Sequence, residues 1–112
     1  CVRDYVHVDD IAQAHVLAME NQKPNIGNFY NIGSNKGVSV LEIIKRCEKV
    51  CSKIINWQFA SRRLGDPATL VASSKKLRDE LNWQPAHSIE TIIQTAYNWH
   101  SRYPKGYTEK NN

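Results

Sequence analysis

At 112 residues the chain has room for one small domain and not for two ordinary ones. An apolar content of 41%, a charged content of 23% and a net charge of +4 describe an ordinary globular composition and exclude a disordered one. No apolar run approaches the roughly 20 residues of a membrane span. Three cysteines, an odd number, argue against a secreted disulfide scaffold and fit reduced thiols. The first residue is Cys1 and no targeting pattern follows it, so the chain reads as a piece of something longer.

Residues 2–8, Val-Arg-Asp-Tyr-Val-His-Val, are β-branched and aromatic and predict a strand, with Val2, Val6 and Val8 alternating. Asp9 and Asp10 stand where a helix N-cap belongs, and Ile11, Ala14, Leu17 and Ala18 then share one helical face, ended by Pro24. Residues 28–32 predict a short strand closed by Gly33. Ser39 and Glu42 form a capping-box pattern for a helix running to about Cys51. Ile55, Trp57 and Phe59 alternate with polar residues and predict a one-sided strand. Residues 61–67, with Gly, Pro and paired arginines, form a loop. Ser73 or Ser74 can cap a short helix holding Leu77 and Leu81, and Ser88 a last one carrying Ile89, Ile92, Ile93 and Ala96. Pro104 and Gly106 end it, before a frayed tail at 110–112. Alternating elements of this kind imply an α/β class, with an early parallel strand pair joined by the helix at 11–20. Three short strands do not complete a doubly wound sheet, so a partner segment is expected.

Arg63-Leu64-Gly65-Asp66 is the stretch richest in chemistry. An arginine fork matches phosphate oxygens, Gly65 permits a tight turn, and a carboxylate such as Asp66 accepts from vicinal sugar hydroxyls. The same residues also suit an Arg–Asp surface pair on a turn. Arg3, in a strand, is either solvated or turned toward an anion. Tyr5 either packs in the core or lines a ligand. No Gly-x-Gly-x-x-Gly loop, no Walker A sequence and no Tyr-x-x-x-Lys pair is present. Cys47 and Cys51, with four histidines elsewhere, fit no metal-ligand spacing, and no metal is expected.

Arg3-Asp4-Tyr5-Val6-His7-Val8-Asp9-Asp10-Ile11-Ala12, followed by Asn28-Phe29-Tyr30-Asn31-Ile32-Gly33, resembles the C-terminal third of the extended short-chain dehydrogenases acting on nucleotide sugars. The run Phe59-Ala60-Ser61-Arg62-Arg63-Leu64-Gly65-Asp66, then Leu81-Asn82-Trp83 and the ending Trp99 to Tyr107, is similar to the UDP-glucose 4-epimerase branch of that family. The resemblance covers nearly the whole chain.

It implies an α/β fold that is the C-terminal substrate-binding part of an NAD-binding Rossmann-type enzyme, with residues 28–33 a strand of the larger Rossmann sheet. The NAD domain and the catalytic Tyr-x-x-x-Lys pair would lie upstream of Cys1, leaving these residues without a catalytic group and inactive alone. The implied parent is a cytoplasmic homodimer that interconverts UDP-glucose and UDP-galactose by oxidation and re-reduction at C4 with NAD. Substrate binding carries over by position. Arg3 and Arg63 match the two diphosphate-binding arginines, Tyr5 and Val40 line the uridine pocket, and Asp66 takes the ribose hydroxyls. Leu64 departs from the family pattern, and Leu70 stands where sugar size is gated, leaving N-acetylated hexoses open. A dehydratase or decarboxylase of the same family is the alternative. A basic nucleic-acid module using Arg62, Arg63, Lys75, Lys76 and Arg78 is the reading from another class, and no nucleic-acid motif supports it.

Overall fold

The computed structural model describes residues 1–23 and 28–107. Three two-residue strands and four helices follow in the order β1 (Val2–Arg3), α1 (Val8–Glu20), β2 (Val38–Ser39), α2 (Val40–Cys51), β3 (Thr69–Leu70), α3 (Lys75–Leu81) and α4 (Ile89–Arg102). The strands form one sheet in the order β2-β1-β3. β1 lies antiparallel to β2, with Val2 opposite Ser39 and Arg3 opposite Val38. It lies parallel to β3, with Val2 opposite Thr69 and Arg3 opposite Leu70. The α/β class expected from the sequence is the class observed. The early parallel pair is not: β1 finds its parallel neighbour in β3, an element whose residues carry no strand signal of their own.

The predicted strand at 2–8 shrinks to Val2–Arg3 for a local reason. The N–H of Ala72, which a longer β1–β3 ladder would use, donates instead to the Asp4 carboxylate at 3.2 Å. Four residues on, His7 ends the extended stretch by capping α1, its Nδ1 accepting from the Asp9 N–H at 3.0 Å. The N-cap is therefore His7, and Asp9 and Asp10 fall in the first turn, where their charge suits the positive helix end. α1 ends at Glu20 with Asn21 as its cap; Pro24 lies outside the described residues.

α2 opens on the expected capping box, with the Ser39 hydroxyl accepting from the Glu42 N–H and the Glu42 carboxylate from the Ser39 N–H, both at 3.1 Å. Ser88 caps α4 through its hydroxyl alone, which accepts from the Thr91 N–H. Ser74 precedes α3 but leaves the cap unmade: its hydroxyl donates to the Gly33 carbonyl at 2.9 Å and accepts from the Asn35 amide at 3.1 Å. Asn82 ends α3 in the left-handed region at φ 56°, which asparagine tolerates better than most side chains.

Two expected strands form no ladder among the described residues. At 28–32 the polar atoms turn to α3: the Lys76 ammonium donates to the Asn28 side chain at 2.6 Å and the Phe29 carbonyl at 3.0 Å, with Phe29 left exposed. At 55–59 the Ile55 N–H is taken by the Glu48 carboxylate at 3.0 Å, and Trp57 and Phe59 stack edge to face in solvent.

The core is small. Ala14 of α1, Leu77 of α3 and Trp83 are buried together, with Val6, Leu17, Tyr30, Ile32 and Leu81 packed around them. Beside it α2 packs on α4, tied at the rim by Arg46 and Glu90 at 2.7 Å.

Candidate nucleotide-sugar site

The site lies where the turn preceding β3 meets the central strand, β1. In that turn the Asp66 N–H donates to the Arg63 carbonyl at 3.3 Å, and Gly65 holds φ at 79° with no side chain to strain. The turn brings Asp66 over β1. Arg3 Nη2 donates to Asp66 Oδ1 at 2.7 Å, and Arg63 Nη2 donates to Asp66 Oδ2 at 3.3 Å. One carboxylate thus lies between two guanidinium groups that differ in freedom. The Arg3 side chain is 22% exposed and anchored further by Nη1 on the Val2 carbonyl, whereas the Arg63 side chain is 87% exposed.

Three of the five residues picked from the sequence therefore meet in one place, although Arg3 and Asp66 lie 63 positions apart. Val40 follows β2 immediately, its N–H donating to the Cys1 carbonyl at 3.0 Å, and its side chain is exposed. Tyr5 is half-buried two residues beyond Arg3. Neither side chain bonds to the Arg–Asp cluster among the described contacts. Leu70 stands directly beside Arg3 in the parallel ladder and is exposed. Chemically, two guanidinium forks and an adjacent carboxylate offer a grip for a diphosphate together with vicinal hydroxyls.

The basic residues of the nucleic-acid alternative are mostly engaged internally. Lys75 and Arg78 both face Asp79, Lys76 is held over Phe29 and Tyr30, and Arg63 is on Asp66.

Sequence reasoning missed two polar clusters. In the first, the buried Asp10 carboxylate accepts from the His87 N–H at 3.1 Å and pairs with His87 Nδ1 at 2.9 Å, while the Trp83 indole N–H donates to the Asp10 carbonyl at 2.9 Å. Burial alone would raise the Asp10 carboxyl. The His87 ring, the Ala86 and His87 backbone bonds and the charge near His87 outweigh it and hold the group below its ordinary value. His87 stacks on His7 at 4.2 Å. His7, Asp9 and His87 also bring possible metal-ligating atoms within 4.8 Å of one another. His7, however, already uses Nδ1 for the helix cap and Nε2 for the Thr95 hydroxyl at 2.9 Å, so this grouping joins α1 to α4. No spacing in the sequence announces a pair 77 positions apart. The second cluster centres on Asp4, whose presence in a β-rich stretch was a readable signal, because strands disfavour aspartate.

Over residues 1–96 the chain matches the GDP-mannose 4,6 dehydratase family. It belongs to that family of nucleotide-sugar epimerases and dehydratases, which has the extended short-chain dehydrogenase fold. Within it, a UDP-glucose 4-epimerase from Halalkalibacterium halodurans is 45% identical over 113 residues, covering 99% of this chain and 34% of that protein. A crystal structure of UDP-glucose 4-epimerase superposes with a TM-score of 0.89 at 43% identity, covering 97% of this chain and 34% of its own. The UDP-glucose 4-epimerase of Bifidobacterium longum, solved with NAD+ and UDP, gives the same TM-score at 36% identity over 95% of this chain and 32% of its own. The chain spans about a third of the length of the curated relatives it matches.

Proposed function

We propose that these residues are the UDP-sugar-binding C-terminal part of a UDP-glucose 4-epimerase that interconverts UDP-glucose and UDP-galactose. The observation that carries the reading is the meeting of Arg3 on β1 with Asp66 and Arg63 in the turn before β3. In this reading the Arg3 and Arg63 guanidinium groups grip the diphosphate, each able to donate a pair of parallel hydrogen bonds. Asp66 accepts from the ribose hydroxyls, and Tyr5 and Val40 flank the uridine. The exposed Arg63 closes on the ligand, while the anchored Arg3 supplies a fixed reference for it.

The described residues do not fit NAD. A dinucleotide pyrophosphate needs a glycine-rich turn at a helix N-terminus free of negative charge. Here the first turns of α1, α2 and α4 carry Asp9 and Asp10, Glu42 and Glu90, which repel phosphate, and α3, free of acid in its first turn, follows no glycine-rich turn. We place NAD, and with it the proton and hydride chemistry at C4, on residues outside this chain. The strand role of 28–33 in a larger Rossmann sheet belongs to the same reading. The resemblance alone supports a homodimer. A cytoplasmic location is in keeping with the three free cysteines, and a role in galactose metabolism rests on the resemblance.

Assay of the full-length protein with UDP-galactose tests the function. Formation of UDP-glucose is the expected result. Turnover of a nucleotide sugar to a 4-keto-6-deoxy product without C4 epimerisation would put the protein among the dehydratases instead.

A further inference from the structure

Asp4 stands between Arg3 and Tyr5 and has no role in the reading above. Its half-buried carboxylate accepts from the Ser34 N–H at 2.9 Å on Oδ1 and 3.0 Å on Oδ2, from the Ser34 hydroxyl on Oδ1, and from the Ala72 N–H at 3.2 Å on Oδ2. Those donors come from segments 30 and 68 positions away. The two segments are also fastened to each other, since the Ser74 N–H donates to the Asn35 side chain at 2.9 Å and the Ser74 hydroxyl to the Gly33 carbonyl. The approach is so close that a Cβ on Gly33 would lie 2.5 Å from Asp4 Oδ2 and 2.7 Å from the Ala72 carbonyl oxygen.

The effect of this clamp falls on β3. That strand is held to β1 before its start by the Val2 N–H on the Ala68 carbonyl at 2.8 Å, and beyond its end by Asp4 on Ala72. The ladder between these points is two residues long. Only Pro67 and Ala68 separate β3 from Asp66. The register of β3 on β1 therefore sets where Asp66 and Arg63 stand relative to Arg3, and Asp4 pins the far end of that register.

We infer that Asp4 is a positioning residue of the nucleotide-sugar site, acting through Ala72 and β3 to hold the Arg63–Asp66 turn against Arg3. The inference rests on the UDP-sugar reading above and adds to it a residue that touches no ligand. Asparagine cannot replace the aspartate. Both carboxylate oxygens face hydrogen-bond donors, and turning either into an amide NH2 sets donor against donor.

The test is Asp4→Asn in the full-length protein, with UDP binding followed by titration calorimetry. UDP affinity should fall about tenfold, as expected for loss of charge-assisted bonds. Bound NAD should be unchanged, and KM for the UDP-sugar should rise more than kcat falls. The same change made in an Asp66→Ala background should cost less than about threefold, because the contact that Asp4 positions has already gone. An equal tenfold loss in both backgrounds overturns positioning. If Asp4→Asn protein is insoluble, Ser34→Ala removes a single donor and should weaken UDP binding about threefold; unchanged binding overturns the inference. Wild-type affinity in a soluble Asp4→Asn protein overturns the inference alone. An unsubstituted protein that binds no UDP overturns the nucleotide-sugar reading and this inference with it.

Discussion

Around Trp83 the chain is held by apolar burial: an indole 2% exposed, Leu77 at 1% and Ala14 at 2% pack between α1 and α3. Around Arg3 it is held by charge and hydrogen bonds, with strands of two residues and side chains that stay partly in solvent. The apolar packing of the first region has no second partner to choose. The second is built from groups that would exchange one partner for another of the same charge, which is what a binding site for an anionic ligand requires. On the proposed reading stability and recognition fall to different residues, and substitutions should separate them.

The largest effect is expected at the core. Trp83→Ala should cost about 3–5 kcal/mol of folding stability by leaving a cavity and removing the indole's bond to the Asp10 carbonyl. Urea unfolding of the full-length protein measures it, and UDP affinity of the protein that remains folded should be unaltered. A loss of affinity as large as the loss of stability would break the division. Arg63→Ala should do the reverse. Calorimetry should show UDP binding weakened by roughly 1.5–3 kcal/mol, for a charge-assisted phosphate contact. Folding stability should change by only about 0–1 kcal/mol, because its pair with Asp66 is solvent-exposed.

Ser39 joins the sheet to α2, as the last residue of β2 and the cap of that helix. Ser39→Ala should lower stability by about 1 kcal/mol, seen as a lower melting temperature. A larger fall in UDP affinity would tie α2 to the site through Val40. The smallest effect is the pH dependence of Asp10. Its carboxyl is held below the ordinary 3.8, so its stabilising contribution is present above that value and lost as pH falls through the lowered one. Acid unfolding should therefore show a component below about pH 4 that Asp10→Asn flattens.

The helices were legible because their signals are local. Ser39 with Glu42, and Ser88 with Thr91, need only their own turn to form. The strands were not, because a strand needs a partner. Residues 55–59 have the right alternation and no strand beside them among the described residues, whereas Thr69–Leu70 have little pattern and become a strand by lying against β1. For the site, Arg63, Gly65 and Asp66 were readable as one turn, and the resemblance singled out Arg3. What no local pattern contained was the side-chain wiring, in which Asp4 reaches Ala72 and Asp10 reaches His87.

The 63 positions separating Arg3 from Asp66 also bear on the order of assembly. Closing so long a loop delays the contact relative to a helix that forms from its own neighbours. Helical signal should accordingly rise before the ability to bind a nucleotide during refolding. On the ribosome, residue 66 and the β3 segment that seats it emerge well after β1, so the grip on the ligand matures late. A nucleotide that binds only the finished arrangement then acts as a thermodynamic ratchet on the last folding step, favouring completion by mass action.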